Sequence, residues 1–110
     1  MRSGKCTAVL TGDTIILDDG RVQVRLSNVW APSLGSPLGD AMHDYTRGLI
    51  LGHSVRYVPN GHIHWGDQSL VAEVYLDLDS TWLNQTLRDW LSRRVHNLQW
   101  VDGIPSQTTP

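Results

Sequence analysis

Two short alternating runs joined by an acidic turn constrain this chain more than any other feature. Asp13–Leu17 carries Thr14, Ile15 and Ile16, residues that suit a pleated strand. Asp18-Asp19-Gly20 follows as a turn signal, and Val22, Val24 and Leu26 then alternate with Gln23 and Arg25. Alternation on both sides of an Asp-Gly turn predicts an antiparallel hairpin. Its second strand turns Val22, Val24 and Leu26 to one face and Gln23 and Arg25 to the other. Gly12 separates the hairpin from an earlier β-compatible run, Lys5–Leu10.

The remaining segments add two helices and two strands. Ser27–Ser36 reads as a loop containing Pro32 and Gly35. Ser36-Pro37 reads as an N-cap followed by proline at the first helical position. Leu38, Ala41, Met42, Tyr45 and Leu49 then follow helical spacing, and Gly52 is a natural stop. Val55 and Tyr57 predict a strand closed by Pro59-Asn60-Gly61, and His62–Gln68 reads as a polar, aromatic loop. Leu70–Leu76 is rich in β-formers. Leu83, Leu87, Trp90 and Leu91 mark a second helix, whose other face offers Gln85, Arg88, Asp89 and Arg93.

Three strands, a helix, two strands and a helix fit a five-stranded OB-type β-barrel with an extra helix. The fold class is thus mainly β with α, an α+β arrangement. Residues 1–101 are expected to form the domain. Residues 102–110 are polar, hold two prolines and show no periodicity, so they are expected to form a flexible tail.

Composition narrows the function classes. The 110 residues suit one domain, and 40% hydrophobic content is too high for a disordered chain. The net charge of −2 argues against strong, non-specific phosphate binding, although arginine supplies all but one of the 9 basic residues. Five tryptophans and no phenylalanine imply rings that keep a polar edge, partly buried or lining a groove. Cys6 is the sole cysteine, which excludes an internal disulfide and a cysteine-based zinc cluster; it reads as a small apolar strand residue. No signal-peptide core and no membrane-length apolar run is present. A cytoplasmic protein without a membrane partner is expected.

Several short motifs carry more than pattern. Thr11-Gly12-Asp13-Thr14-Ile15-Ile16-Leu17 is followed by Asp19-Gly20 and by Val24-Arg25-Leu26-Ser27-Asn28-Val29-Trp30-Ala31-Pro32. Gly39-Asp40-Ala41, Leu49–Val55, Val71-Ala72-Glu73-Val74-Tyr75 and Leu83-Asn84-Gln85-Thr86-Leu87 come after in that order. Together, over roughly Thr7 to Arg94, they resemble the staphylococcal-nuclease-like (thermonuclease) domain family. The resemblance implies an OB barrel with two or three helices. In active members it also implies phosphodiester hydrolysis with one calcium ion, held by two aspartates and a main-chain carbonyl. A glutamate handles the attacking water and two arginines clamp the phosphate.

Carried over by position, the resemblance puts Asp13 at the first metal aspartate and Arg25 at the first phosphate arginine. The second metal aspartate falls on Trp30, the carbonyl ligand on Ala31 and the water-activating glutamate on Ser33. The second arginine falls on Asp67, after Trp65-Gly66, or on Ser69 when counted back from Val71-Ala72. The only glutamate in the chain, Glu73, lies in a later strand. One metal ligand, the base and one phosphate clamp are therefore missing. The expectation is a catalytically degenerate domain that binds nucleic acid or protein, with no cofactor. The alternative is a divergent calcium-dependent phosphodiesterase acting on DNA or RNA.

Each candidate residue has a plainer reading beside the functional one. Asp13 is either a remnant metal ligand or a turn aspartate bonded to its own loop. Arg25 either binds an anion or pairs internally, with Asp13 the nearest choice. Trp30 and Trp65 either stack on a ligand in the groove or fill the space a metal would leave. His62 and His64, with Asp67, are either metal ligands or solvated loop residues. Arg88, Arg93 and Arg94 are either a basic patch or a solvated helix end.

Overall fold

The first strand is long enough to serve two neighbours, and that closes the sheet. The computed structural model describes residues 2–60, 70–95, 98–101 and 104–107. Strand β1 (Arg2–Thr11) pairs through Arg2–Lys5 with β4 (Ser54–Pro59), and through Cys6–Thr11 with β2 (Thr14–Leu17). Register shifts between Cys6 and Ala8 and between Val9 and Thr11 bend the strand between its partners. The strand starts three residues before the predicted Lys5, because Arg2-Ser3-Gly4 gains its place from main-chain pairing and carries no apolar alternation.

Strand β2 pairs with β3 (Val22–Leu26) as the predicted hairpin. The connection is a single 3-10 turn, Asp18–Gly20, with φ of 53° at Asp18 and 58° at Asp19. Aspartate tolerates this left-handed backbone better than most residues. Strand β3 then runs parallel to β5 (Leu70–Leu76), and β5 runs antiparallel to β4. The result is a closed barrel of order β1-β2-β3-β5-β4, an OB-type barrel in an α+β fold.

Alternation places the core as expected. Ile15, Leu17, Val24, Leu26, Val55 and Val74 are all buried, while Arg25 stays half-buried on the opposite face of β3. Cys6 is fully buried and its Sγ lies 3.4 Å from the Ala8 carbonyl; burial pushes its thiol pKa up.

Helix α1 (Pro37–Ile50) starts as the sequence requires. The Ser36 hydroxyl oxygen accepts from the Gly39 N–H at 3.1 Å and donates to the Ser33 carbonyl at 2.6 Å. A side chain on Gly39 would overlap the Ser33 carbonyl, so only glycine lets the loop close on the helix. The buried face is Gly39, Met42, Thr46 and Ile50, flanked by Leu38, Tyr45 and Leu49. Ala41, expected on that face, is exposed.

Helix α2 (Leu83–Arg94) buries Leu83, Leu87, Trp90 and Leu91 as predicted, together with Asn84. The two helices meet where Tyr45 stacks on Trp90, with ring centroids 5.2 Å apart. Beyond α2, strands β6 (Leu98–Val101) and β7 (Ile104–Gln107) form a separate two-stranded sheet. Residues 104–107 are thus strand, where the polar tail gave no periodic signal. Among the described residues, no helix is long and apolar enough to cross a membrane.

Candidate functional site

Asp13 occupies the tight connection between β1 and β2, and its carboxylate is committed to its own surroundings. Oδ1 accepts from the Thr11 hydroxyl at 2.6 Å and the Thr14 hydroxyl at 3.1 Å. Oδ2 accepts from the Ala31 N–H at 3.3 Å. The Asp13 carbonyl accepts from the Leu26 N–H at 2.8 Å. The side chain is 8% exposed. One residue therefore ties the start of the hairpin to the end of β3 and to the loop that follows. A charge taken from water needs such bonds, because an unpaired buried carboxylate is costly.

Those bonds place the neighbouring functional candidates. Arg25 precedes Leu26 on β3 and pairs across the sheet with Thr14 on one side and Val71 on the other. Among the described residues its guanidinium makes no hydrogen bond or ion pair. The internal Asp13–Arg25 pair, one of the two sequence readings, does not form: Asp13 bonds to two hydroxyls and a backbone amide instead. Trp30 immediately precedes Ala31 and is 42% exposed. Ser33 is exposed and contributes its carbonyl to the α1 cap rather than its hydroxyl to Asp13. Trp65, Asp67 and Ser69, with His62 and His64, lie outside the described residues.

The donor set does not fit a calcium ion held as the family resemblance implies. Calcium takes six to eight oxygen ligands. Among the described residues Asp13 brings the one carboxylate of that set, both its oxygens already accept hydrogen bonds, and the paired position is the indole of Trp30. Among the described residues, no group of three or more histidine, cysteine, aspartate or glutamate side chains could hold a metal.

Two of the three basic residues of α2, Arg88 and Arg94, are engaged locally. Arg88 donates to Gln85 Oε1 at 2.7 Å and lies 5.6 Å from the Trp82 ring centroid. Arg94 sits 4.0 Å over the Trp90 ring and donates to the Trp90 carbonyl at 3.3 Å. Both geometries favour a helix-end role over a free patch.

A second aromatic cluster escapes the sequence reading. Trp82 is 40% exposed, lies nearly parallel to Tyr75 and donates from Nε1 to Glu73 Oε2 at 2.7 Å. Glu73 Oε1 also accepts from Asn60 at 3.0 Å. The usable signal is Trp82 at the helix entry, where a capping side chain would normally stand. A shallow depression lined by Asp44, Arg47, Gly48 and Leu51 lies on the outward side of α1 and includes none of these groups.

No family model matches the chain, and no curated protein matches it. The fold and site define a class by themselves: an OB-type barrel with a hydrogen-bonded aspartate at the head of its hairpin and, on the adjacent strand, an arginine with no side-chain partner among the described residues.

Proposed function

We propose that this chain is a catalytically degenerate staphylococcal-nuclease-like domain that binds rather than cuts, with single-stranded nucleic acid as its first ligand. The observation that carries the reading is the contrast between Asp13 and Arg25. The Asp13 carboxylate is buried and accepts from Thr11, Thr14 and Ala31, a structural use of the group. The Arg25 guanidinium has no hydrogen bond or ion pair among the described residues and stands on the outer face of β3.

A guanidinium suits a phosphate through charge-assisted hydrogen bonds. An exposed indole suits a nucleobase, with stacking worth about 1–3 kcal/mol per base. Arg25 and Trp30 offer one of each on the two segments that Asp13 ties together. The alternative, a divergent calcium-dependent phosphodiesterase, would need its base and second cation from groups such as Asp67.

The test uses labelled single-stranded DNA and RNA with and without calcium. Binding without shortening of the oligonucleotide is expected, with tryptophan fluorescence reporting saturation. Calcium-dependent cleavage that is lost in a folded Asp13→Ala variant would replace the binding reading with the enzymatic one. Failure to bind either oligonucleotide at low salt would leave a protein ligand instead.

A further inference from the structure

The chain leaves β3 at Leu26, and the loop that carries Trp30 begins at once. Asn28 turns with φ of 57°, a left-handed backbone that asparagine tolerates better than most residues. Val29 is then buried at 5% exposure, while Trp30 beside it is 42% exposed. A loop that buries one residue and turns the next large one outward needs its main chain fixed. Asp13 supplies part of that hold, through the Leu26 N–H on one side and the Ala31 N–H on the other.

The rest comes from α2. Asn84 is fully buried, and its Nδ2 donates to the Ser27 carbonyl at 2.8 Å and the Ala72 carbonyl at 3.2 Å. Its Oδ1 accepts from the Val74 N–H at 2.9 Å. The residue before the Asn28 turn is thereby locked to β5. Arg88 stands four residues further on, on the same face of the helix. Its Nη1 reaches the Asn28 carbonyl at 3.5 Å. Gln85 and the Trp82 ring hold the guanidinium in place for that reach, by a 2.7 Å hydrogen bond and a 5.6 Å approach to the ring centroid. Two side chains one helical turn apart therefore grip two consecutive carbonyls of the loop.

We infer that Asn84 and Arg88 are positioning residues for Trp30. Helix α2 fixes the carbonyls of Ser27 and Asn28, Asp13 fixes the amide after Trp30, and the indole is presented outward between them. The inference rests on the reading of this site as a single-stranded nucleic-acid site. A loop ordered before the ligand arrives loses less entropy on binding, so the brace is felt as affinity. Arg88 acts through the loop and not by touching a phosphate.

The first readout needs no ligand. Amide hydrogen exchange is followed at Ala31, beside Trp30, and at Cys6 on β1, whose N–H donates to the His53 carbonyl at 2.9 Å. Arg88→Ala leaves the Asn84 bonds in place. It is expected to speed exchange at Ala31 by about tenfold with Cys6 unchanged, the mark of a local opening. Asn84→Ala also weakens the barrel and is expected to speed both amides, Ala31 more. Unchanged exchange at Ala31 in Arg88→Ala, or equal effects on both amides in Asn84→Ala, would overturn the inference. The second readout is affinity for labelled single-stranded DNA at two salt concentrations. Arg88→Ala is expected to weaken binding several-fold at an unchanged salt slope, and to add nothing in a Trp30→Ala background. A flatter slope, or a full extra loss on top of Trp30→Ala, would make Arg88 a phosphate contact and overturn its positioning role. A parent chain that binds no oligonucleotide would end the nucleic-acid reading, and exchange at Ala31 would still decide whether α2 braces the loop.

Discussion

Asp13 accepts hydrogen bonds from Thr11, Thr14 and Ala31 while 8% exposed, so its charge works for the fold. Asp13→Asn keeps the shape but turns one acceptor oxygen into a donor amide facing other donors. The variant should lose about 1–3 kcal/mol of stability in urea unfolding. The loss should be the same with calcium and with a chelator. A loss seen only when calcium is present would mean that the carboxylate holds a metal. Asn84 is a fully buried polar side chain. It accepts from the Val74 N–H and donates to the Ser27 and Ala72 carbonyls. Ala72 keeps the Ser27 N–H as a partner, but Val74 N–H and the Ser27 carbonyl would be orphaned in Asn84→Ala. The expected cost is about 3 kcal/mol, read from the same unfolding curves.

The turn between β5 and α2 gives the clearest dependence on pH. Asp79 Oδ1 accepts from the Thr81 N–H at 3.0 Å, and hydrogen bonds from Thr81 hold its carboxyl below the usual carboxylate value. The folded chain therefore stays ionised at Asp79 where the unfolded chain has begun to bind a proton. The resulting stabilisation is full above the ordinary carboxylate range and disappears as pH falls through the lowered value. Asp79→Ala should unfold earlier than the parent in urea at neutral pH, and the gap should close on acidification. A gap that widens in acid would contradict this account. The same turn is braced by Arg56, which donates to the Ser80 hydroxyl at 2.6 Å and pairs with Asp77 at 3.3 Å.

Elements that bury one face were legible in the sequence. The β2–β3 hairpin, the Ser36-Pro37 cap and the apolar face of α2 follow from alternation, capping and helical spacing, and the structure contains all three. Elements held by main-chain pairing were not. Arg2-Ser3-Gly4 extends β1 because β4 lies beside it, and nothing in those side chains announces a strand. The β6–β7 sheet left a fainter trace, Asp102-Gly103 between Val101 and Ile104, which is a hairpin signal at the head of an otherwise polar segment. At the site, sequence position put Asp13 in the turn that leads into β2 and Arg25 on the adjacent strand β3. It could not tell that two threonine hydroxyls and the Ala31 amide would take the carboxylate, because that choice depends on how the loop after β3 folds back.

For the whole molecule, a net charge of −2 sets the character of any nucleic-acid binding. On the proposed reading the chain contacts few phosphates, so affinity should fall gently with salt, with a slope of about −0.7 in log–log form per contacted phosphate on a single strand. Stacking supplies the remainder and is insensitive to salt. Arg25→Ala should flatten that slope by about one phosphate contact, and Trp30→Ala should weaken binding without changing it.

The most direct measurement is a tryptophan-fluorescence titration with single-stranded oligonucleotide at two salt concentrations, repeated with calcium and with chelator, with the oligonucleotide sized on a gel afterwards. A binding domain gives a saturable signal, equal affinity in calcium and chelator, weaker binding in Arg25→Ala and an intact oligonucleotide. Shortened oligonucleotide in calcium alone, or no signal at low salt, would contradict the account.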